Sequence, residues 1–424
     1  MAQTIYIQKN RDSKKKIFFS IVALNICVLA FFKYFNFFLA NLEVLLKNLG
    51  IKNISNLHLN IMVPLGISFF TFWTLSYLFD VYSEKIKPEK SLIKYLIFSI
   101  CFPHVIAGPI VRAKEFLAQL NDNLYLRSNH EGFFLILYGL IKKIFLADII
   151  GRLIVNDVFN GSVSDYSSLE LLLVVYCYSF QIFLDFSAYS DMAIGLGKIF
   201  GIQYPINFKY PYTATNPSEF WKRWHISFSF WLRDYLFLPI AYAVMRKINK
   251  PCLFKIKNER WAYITGMSIT MLLCGLWHGA SWTFIMWGGI HGLYLIVYNV
   301  LPKKIKKRKK KIPTFVRVFV FFNLISLAWI FFRSPSIQFG IEYIIKIFRF
   351  NGIGKGINLT TLLLLLLISI IIHYIFEPNL DKISKMFNKL HWTVHALIFY
   401  AFCIVLVYFS EKEVAHQAFI YFNF

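Results

Sequence analysis

Apolar positions along this chain gather into long blocks separated by short basic segments. Residues 17–32 are almost unbrokenly apolar, and so are 171–186, 316–332 and 362–372. About 20 apolar residues cross a bilayer as a helix, and a soluble fold has no need of so many runs of this length. The blocks at 17–40, 62–80, 133–155, 169–187, 261–277, 281–299, 314–332, 360–376 and 392–409 predict nine membrane-spanning helices. Two more stretches fit less simply. Residues 92–112 are interrupted by Pro103, Gly108 and Pro109. That predicts a re-entrant element, because non-helical backbone at membrane depth needs a cover of protein or a water-filled cavity. Residues 217–238 open with Asn216-Pro217-Ser218-Glu219: an N-cap, a proline at the first helical position and a glutamate at N3. Trp221, Trp224, Phe228, Trp231 and Tyr235 follow at spacings of 3, 4, 3 and 4. The spacing predicts one helix with an aromatic stripe, ended by Pro239. Arg223, His225, Arg233 and Asp234 lie off the stripe. Tryptophan and tyrosine favour the headgroup level, so this helix is expected at the cytoplasmic interface or dipping shallowly into it.

Charge changes the picture by its placement. Only 16% of residues are charged, against about 25% in an average soluble domain. The net charge of +24 raises nucleic acid as a partner, but the basic residues sit in short loops between apolar runs, where the positive-inside rule puts them. Residues 1–16 hold five Lys and Arg, 84–94 hold four lysines, and 246–260 hold six basic residues. Residues 303–311 (KKIKKRKKK) hold eight in nine, whereas 156–168 hold none. Together they set the N-terminus inside and the C-terminus outside, with membrane lipid and no nucleic acid as expected partners. The run at 303–311 reads as a cytoplasmic orientation signal, and binding to anionic lipid headgroups is the other reading. Lys14, Lys15 and Lys16 before an apolar run resemble a signal peptide. The run is too long for one and no A-x-A site follows, so a retained helix is expected. Neither disulfides nor zinc are expected from the scattered cysteines. No internal repeat or soluble domain is visible. Residues 1–424 are expected to form one all-α domain, a polytopic transmembrane helix bundle of about 9–11 spans plus re-entrant and interfacial segments.

The sharpest chemical feature is Gly275-Leu276-Trp277-His278-Gly279-Ala280-Ser281-Trp282. A histidine lies between two apolar blocks, flanked by glycines that permit close approach of a ligand. Ionisable groups at membrane depth are costly and face a cavity or a partner, and histidine moves protons near neutral pH. A loop histidine at the outer surface is the alternative. For His225, in Trp224-His225-Ile226-Ser227, the alternative is an interfacial side chain against headgroups. His291, between Gly289 and Gly292, suits tight helix packing. Asp185 and Asp191 bracket Phe186–Ser190 at the expected end of a span, either lining a polar entrance or snorkelling. No P-loop, dinucleotide fingerprint, G-x-S-x-G elbow or EF-hand appears.

At these residues the chain resembles the membrane-bound O-acyltransferases. Residues 102–112 (FPHVIAGPIVR), 185–195 (DFSAYSDMAIG), 220–235 (FWKRWHISFSFWLRDY), 275–282 (GLWHGASW) and 419–424 (FIYFNF) are similar to that family's motifs, in the family's order. The likeness runs from about residue 60 to 300, plus the end, and is strongest toward bacterial polysaccharide and peptidoglycan O-acetyltransferase membrane subunits. It implies a multi-helix bundle around a central tunnel in the bacterial inner membrane. It also implies acetyl-CoA as cytoplasmic donor with no tightly bound cofactor, and a secreted or membrane-anchored SGNH-type transferase as partner. The family's essential histidine matches His278 and its second histidine His225. Trp221, Arg223, Trp224, Trp277, Trp282, Asp185, Asp191 and Arg112 are the expected substrate-binding residues, with no metal. In the expected chemistry His278 is the general base, Trp277 and Trp282 exclude water, and His225 orients an oxygen or stabilises an oxyanion. Two departures stand out. Relatives begin with one or two apolar helices ahead of the basic segment with which this chain begins. The turn after the third motif also lacks the Gly-Gly common in alginate-type members. D-alanyl transfer to teichoic acid is the alternative within the family. A proton-coupled transporter using the histidines and aspartates as a relay is the alternative from another class.

The charge pattern gives a topology that can be measured. In a cysteine-free background, Lys306→Cys should resist an impermeant thiol reagent in intact cells, and Ser164→Cys should react. Labelling of position 306 without lysis overturns the assignment.

Overall fold

The computed structural model describes residues 1–51, 58–121, 129–248, 252–253, 256–302, 311–350, 356–411 and 419–420. Of the basic run at 303–311 only Lys311 is among them, and of the ending at 419–424 only Phe419 and Ile420; the rest of both lies outside the described residues. The architecture is helical, with one short antiparallel pair, Cys252–Leu253 against Ile256–Lys257. Among the described residues five helices are long and apolar enough to cross a membrane: Arg11–Asn48, Ser168–Phe200, Trp282–Val300, Thr314–Arg333 and Leu359–Asn388. Trp392–Tyr408 is a shorter apolar helix. Other expected spans appear as Ile67–Tyr82, as Asn258–His278, and as a run from His130 to Asn160. The chain is thus a multi-pass membrane protein. Packing groups it into two units, Met1–Leu124 with Ser227–Pro302, and Tyr125–Ile226 with Lys303–Asn423.

In the first unit, the helix Arg11–Asn48 starts where the Asn10 side chain accepts from the Asp12 and Ser13 amides, an N-cap. Phe19, Leu24, Ile26, Val28 and Phe31 along it are exposed, as lipid-facing positions are. The helix Ile67–Tyr82 is the opposite case, with Phe69, Phe72, Trp73 and Tyr77 buried. The interruption at 92–112 falls where the prolines place it. The helix Leu92–Ile100 stops, and a series of turns brings His104 Nε2 to the Phe98 carbonyl at 3.1 Å. Ile110 N then donates to Ser227 Oγ at 2.8 Å. Asn258–His278 and Trp282–Val300 form a helical hairpin whose backbones touch at Gly275 and Gly288. A Cβ on Gly275 would lie 2.2 Å from the Phe284 carbonyl oxygen, and one on Gly288 2.2 Å from that of Met271. Small residues at such a crossing let helices approach in the way membrane bundles require.

In the second unit the helix Ser168–Phe200 forms the buried centre. Ser167 and Glu170 build a capping box, and Gly201 ends the helix at φ +77. The sequence pattern ended this span near residue 187, but the helix continues to Phe200. The polar residues past 187 do not end it because they find partners: Asp191 pairs with Lys142 and Lys198 with Glu131. Asp185 and Asp191 therefore sit inside a helix rather than at its end. The helix His130–Lys142 continues through wide π-helical turns at 143–147 and 151–155 to Asn160. Lys142 and Lys143 stand at the first of them, where the wider turn re-aims side chains.

The single helix expected at 217–238 does not form. Pro217–Phe220 is one turn of helix, Trp221–His225 are turns, and a second helix starts at Ile226. His225 takes the left-handed conformation, φ +42, which a non-glycine residue adopts only at a cost. The cause is competition for backbone bonds. The extended stretch at 207–209 takes them, with Ile226 N donating to Asn207 O at 2.9 Å and Lys209 N to Arg223 O at 2.9 Å. Trp224, Phe228, Trp231 and Tyr235 are buried against protein, so the stripe is packing rather than a headgroup-facing surface. Nor does Pro239 end the helix. It lies in the first turn of Leu238–Lys247, after a π-helical turn at Arg233–Phe237, where its missing N–H is tolerated.

The glycine crossing makes a stability prediction. Gly275→Ala should destabilise the protein by about 1–3 kcal/mol, the usual cost of overpacking, because a backbone oxygen cannot swing aside. Gly289→Ala, whose Cβ would meet only Leu272 Cδ2 at 3.6 Å, should be close to neutral. Thermal unfolding of both variants in detergent measures the contrast, and equal melting temperatures overturn it.

Candidate active site

His278 is the last residue of the helix Asn258–His278, and Gly279 after it is extended. The turn is short because Ser281 caps the next helix, accepting from Thr283 N at 3.3 Å. The imidazole is only 4% exposed. Its ring centroid lies 4.7 Å from Trp277, 5.0 Å from Trp287 and 6.1 Å from Phe228. Trp277 is itself held against Phe228 at 4.4 Å and Phe72 at 5.1 Å. The result is an aromatic enclosure around a buried imidazole. Inside it, charge and hydrogen bonds act more strongly than in water.

Trp282 does not help to close this chamber. It is 54% exposed, its Nε1 donates to Asn41 Oδ1 at 2.8 Å, and its ring lies 5.8 Å from Phe37. It ties the hairpin to the helix Arg11–Asn48. The ring that packs against His278 from the next helix is that of Trp287, which the sequence reading missed. Trp287 and His291 lie four residues apart on one helical face, ring centroids 4.8 Å apart, and that spacing was the available signal. Lys33 was also missed, and its Nζ donates to the Trp277 carbonyl at 2.5 Å. Arg112 binds Asp234 at 2.8 Å and lies 4.6 Å over the Tyr235 ring, while Tyr235 OH donates to Asp80 at 2.8 Å. It is a clamp on the helical run after Phe228.

His225 belongs to the other unit, with Trp221, Arg223, Trp224, Asp185 and Asp191. Its ring meets the edge of Phe186 at 4.6 Å and stacks on Phe208 at 6.4 Å. Its Nδ1 lies 3.0 Å from Asn207 Oδ1, and Asn207 Nδ2 donates to Ser190 Oγ at 3.1 Å. That chain puts the proton on Nδ1 and the lone pair on Nε2. Burial holds His225 well below the ordinary histidine value, so it is neutral at physiological pH. Trp224 stacks on Phe220 at 5.6 Å and lies 5.1 Å from Trp329, while Trp221 is half-buried beside Phe220. Arg223 is engaged locally, donating to Glu219 at 2.7 Å and Thr213 at 2.9 Å. Burial pushes Glu219 up, but bonds from the Thr215 amide and hydroxyl, with Arg223, hold it below the usual carboxylate range.

The two aspartates are clamps as well. Asp185 binds Lys143 at 2.6 Å and accepts from Ile420 N at 2.7 Å, and Lys143 also binds Asp148 at 2.7 Å. Asp191 binds the fully buried Lys142 at 2.5 Å, which also reaches Glu377 at 2.9 Å and Ser187 at 2.8 Å. Neither aspartate snorkels. A cavity of about 700 Å³ lies in this unit, with Asp191, Lys198, Phe208, Lys209, Tyr210 and Glu377 in its wall. Phe208 thus faces the cavity and stacks on His225.

The model of the membrane-bound O-acyltransferase family matches residues 16–333. The probable alginate O-acetylase of Azotobacter vinelandii is 36% identical over 331 residues, which is 78% of this chain and 62% of that protein. The peptidoglycan O-acetyltransferase of Helicobacter pylori is 33% identical over 375 residues, 82% of this chain and 67% of that protein. The teichoic acid D-alanyltransferase of Streptococcus thermophilus is 32% identical over 291 residues, 64% of this chain and 68% of that protein. The chain spans under two thirds of the length of the alginate O-acetylase.

A buried neutral histidine makes stability depend on pH. The folded-state value of His225 lies below the unfolded one of about 6.5, so its contribution is present above that pH. It is lost as pH falls, because only the unfolded chain takes up the proton. His225→Gln, which can still bond Asn207, should remove up to about 1.4 kcal/mol per pH unit from this acid slope. Melting temperatures between pH 7.5 and 5 test it, and unchanged slopes refute it.

Proposed function

The chain belongs to the membrane-bound O-acyltransferase family, and from that premise we propose that it passes an acetyl group from cytoplasmic acetyl-CoA toward a hydroxyl of an extracytoplasmic polysaccharide or peptidoglycan. A secreted or membrane-anchored SGNH-type transferase is the proposed partner, and the bacterial inner membrane the proposed location. Acetyl rather than D-alanyl transfer is favoured because the acetylating relatives named above share more of this chain, at higher identity, than the D-alanyltransferase does. The single observation that carries the reading is His278, an almost fully buried imidazole at a helix end, walled by Trp277, Trp287 and Phe228.

A neutral hydroxyl is a weak nucleophile near pH 7 and needs a proton acceptor as it attacks. His278 takes the hydroxyl proton while the oxygen adds to the thioester carbonyl. The C–S bond then breaks, and the thiolate leaves with the proton returned from the imidazolium. General-base assistance of this kind is worth about 10²–10⁴ in rate. The aromatic wall keeps out the water that would otherwise hydrolyse the thioester. His225, with its lone pair on Nε2, accepts a hydrogen bond and so suits orienting a hydroxyl or thiol proton rather than stabilising an oxyanion. The exposed Lys209 and Lys222 offer cations to the donor's phosphates, because Arg223 is already paired.

His278→Ala should abolish acetyl transfer while leaving insertion intact, since it removes the imidazole without adding bulk or charge. His278→Gln should be equally inactive, because an amide hydrogen-bonds but does not take the proton. His225→Ala should be milder. Transfer of radiolabelled acetyl from acetyl-CoA in membranes of producing cells measures all three. Near wild-type transfer by His278→Ala refutes the mechanism.

A further inference from the structure

Lys33 is the only charged residue between Lys16 and Glu43, deep in the apolar helix Arg11–Asn48. A cation so placed is costly and takes its partner within the protein. Among the described residues that partner is not a carboxylate. Lys33 Nζ donates to the Trp277 carbonyl at 2.5 Å and lies 3.4 Å from Ser68 Oγ. It is 5.7 Å from the Trp277 ring centroid. Next to it, Tyr34 OH donates to the Leu276 carbonyl at 3.1 Å.

Those two carbonyls belong to the last turn of the helix that ends on His278. The final carbonyls of a helix have no partner within it and carry the negative end of its dipole. An imidazole at such an end is drawn toward its protonated form, which is the wrong form for a base. An ammonium fixed on the Trp277 carbonyl opposes that, because a nearby like charge disfavours a second one.

We propose that Lys33 is a positioning residue for His278, closing the terminal turn beneath it and holding the imidazole in its neutral, proton-accepting form. This rests on the reading of His278 as the base. The elements packed around His278 bring Lys33 and Tyr34 from the helix Arg11–Asn48 and His291 from Trp282–Val300. Phe69, Phe72 and Phe228 bring no titratable group. Lys33 is thus the basic side chain that meets this helix end among the described residues.

The test uses membrane vesicles from cells producing the full chain, supplied with radiolabelled acetyl-CoA, with transfer per molecule of protein followed from pH 5.5 to 9. Lys33→Met should move the acid limb of the rate profile upward by about one pH unit, the size of a helix-end charge effect. The rate below that limb should fall up to about tenfold, and KM for acetyl-CoA should be little changed. Lys33→Arg should restore the wild-type profile. If Lys33→Met does not accumulate, Lys33→Gln, which donates to the carbonyl without a charge, carries the same expectation. A wild-type profile per molecule in Met or Gln, even with less protein in the membrane, overturns the inference and leaves only a structural cap. Inactive His278→Ala beside such a profile defeats the Lys33 inference alone, whereas active His278→Ala defeats the base reading and this inference with it.

Discussion

An α-helix that stops inside a protein leaves its last carbonyls to be satisfied by something else, and Asn258–His278 stops with its final side chain 4% exposed. What satisfies them is a lysine and a tyrosine from the helix Arg11–Asn48. Much of the first unit's geometry depends on that junction. It fixes where the chain turns into Trp282–Val300, and hence where Gly275 meets Gly288. It also presents Trp277 to Phe72 and Phe228. The aromatic wall of His278 is thus a consequence of how one helix ends.

The second unit solves a different problem. Its central helix, Ser168–Phe200, is buried and still carries Asp185 and Asp191. Buried charges are tolerated only when paired and hydrogen-bonded. Lys142 and Lys143, consecutive on one helical run, each reach a different aspartate six residues apart on the next. Such pairs contribute less to net stability than to register, because sliding of one helix on the other would pull Asp185 and Asp191 off their lysines in an apolar interior. With register fixed, Asn207, Phe186 and Phe208 come to rest around His225.

Helix type and the order of apolar blocks were legible in the sequence, because long apolar runs have no other stable form in lipid. The break at 92–112 was legible because proline removes a donor. The interruption at 221–225 was not. Aromatic spacing of 3 and 4 is what a helix requires, and only the tertiary bonds from 207–209 overrule it. The length of Ser168–Phe200 was hidden for a similar reason: polar residues past 187 look like a helix end until their partners are known. At the candidate site His278 stood out by its flanking glycines and tryptophans. Trp282 stood out because it closes the motif around His278, while Trp287, one turn further on, is the one whose ring meets the imidazole. Lys33 passed unremarked inside an apolar block, and only the fold shows which helix end it meets.

The two histidines differ in ways that bear on what each is suited to do. His225 sits in a left-handed turn with its tautomer set by an amide chain through Asn207 to Ser190. Protonating it would put a charge among Phe186, Phe208 and that neutral amide, and burial keeps it neutral. His278 stands at the negative end of a helix dipole, with Lys33 on the carbonyl of the residue before it. A base must gain its proton during attack and lose it when the leaving group departs. A site balanced between dipole and ammonium suits that cycle better than one where the charged form has no support. Environment rather than residue type therefore separates the two proposed roles, a base at 278 and an orienting acceptor at 225.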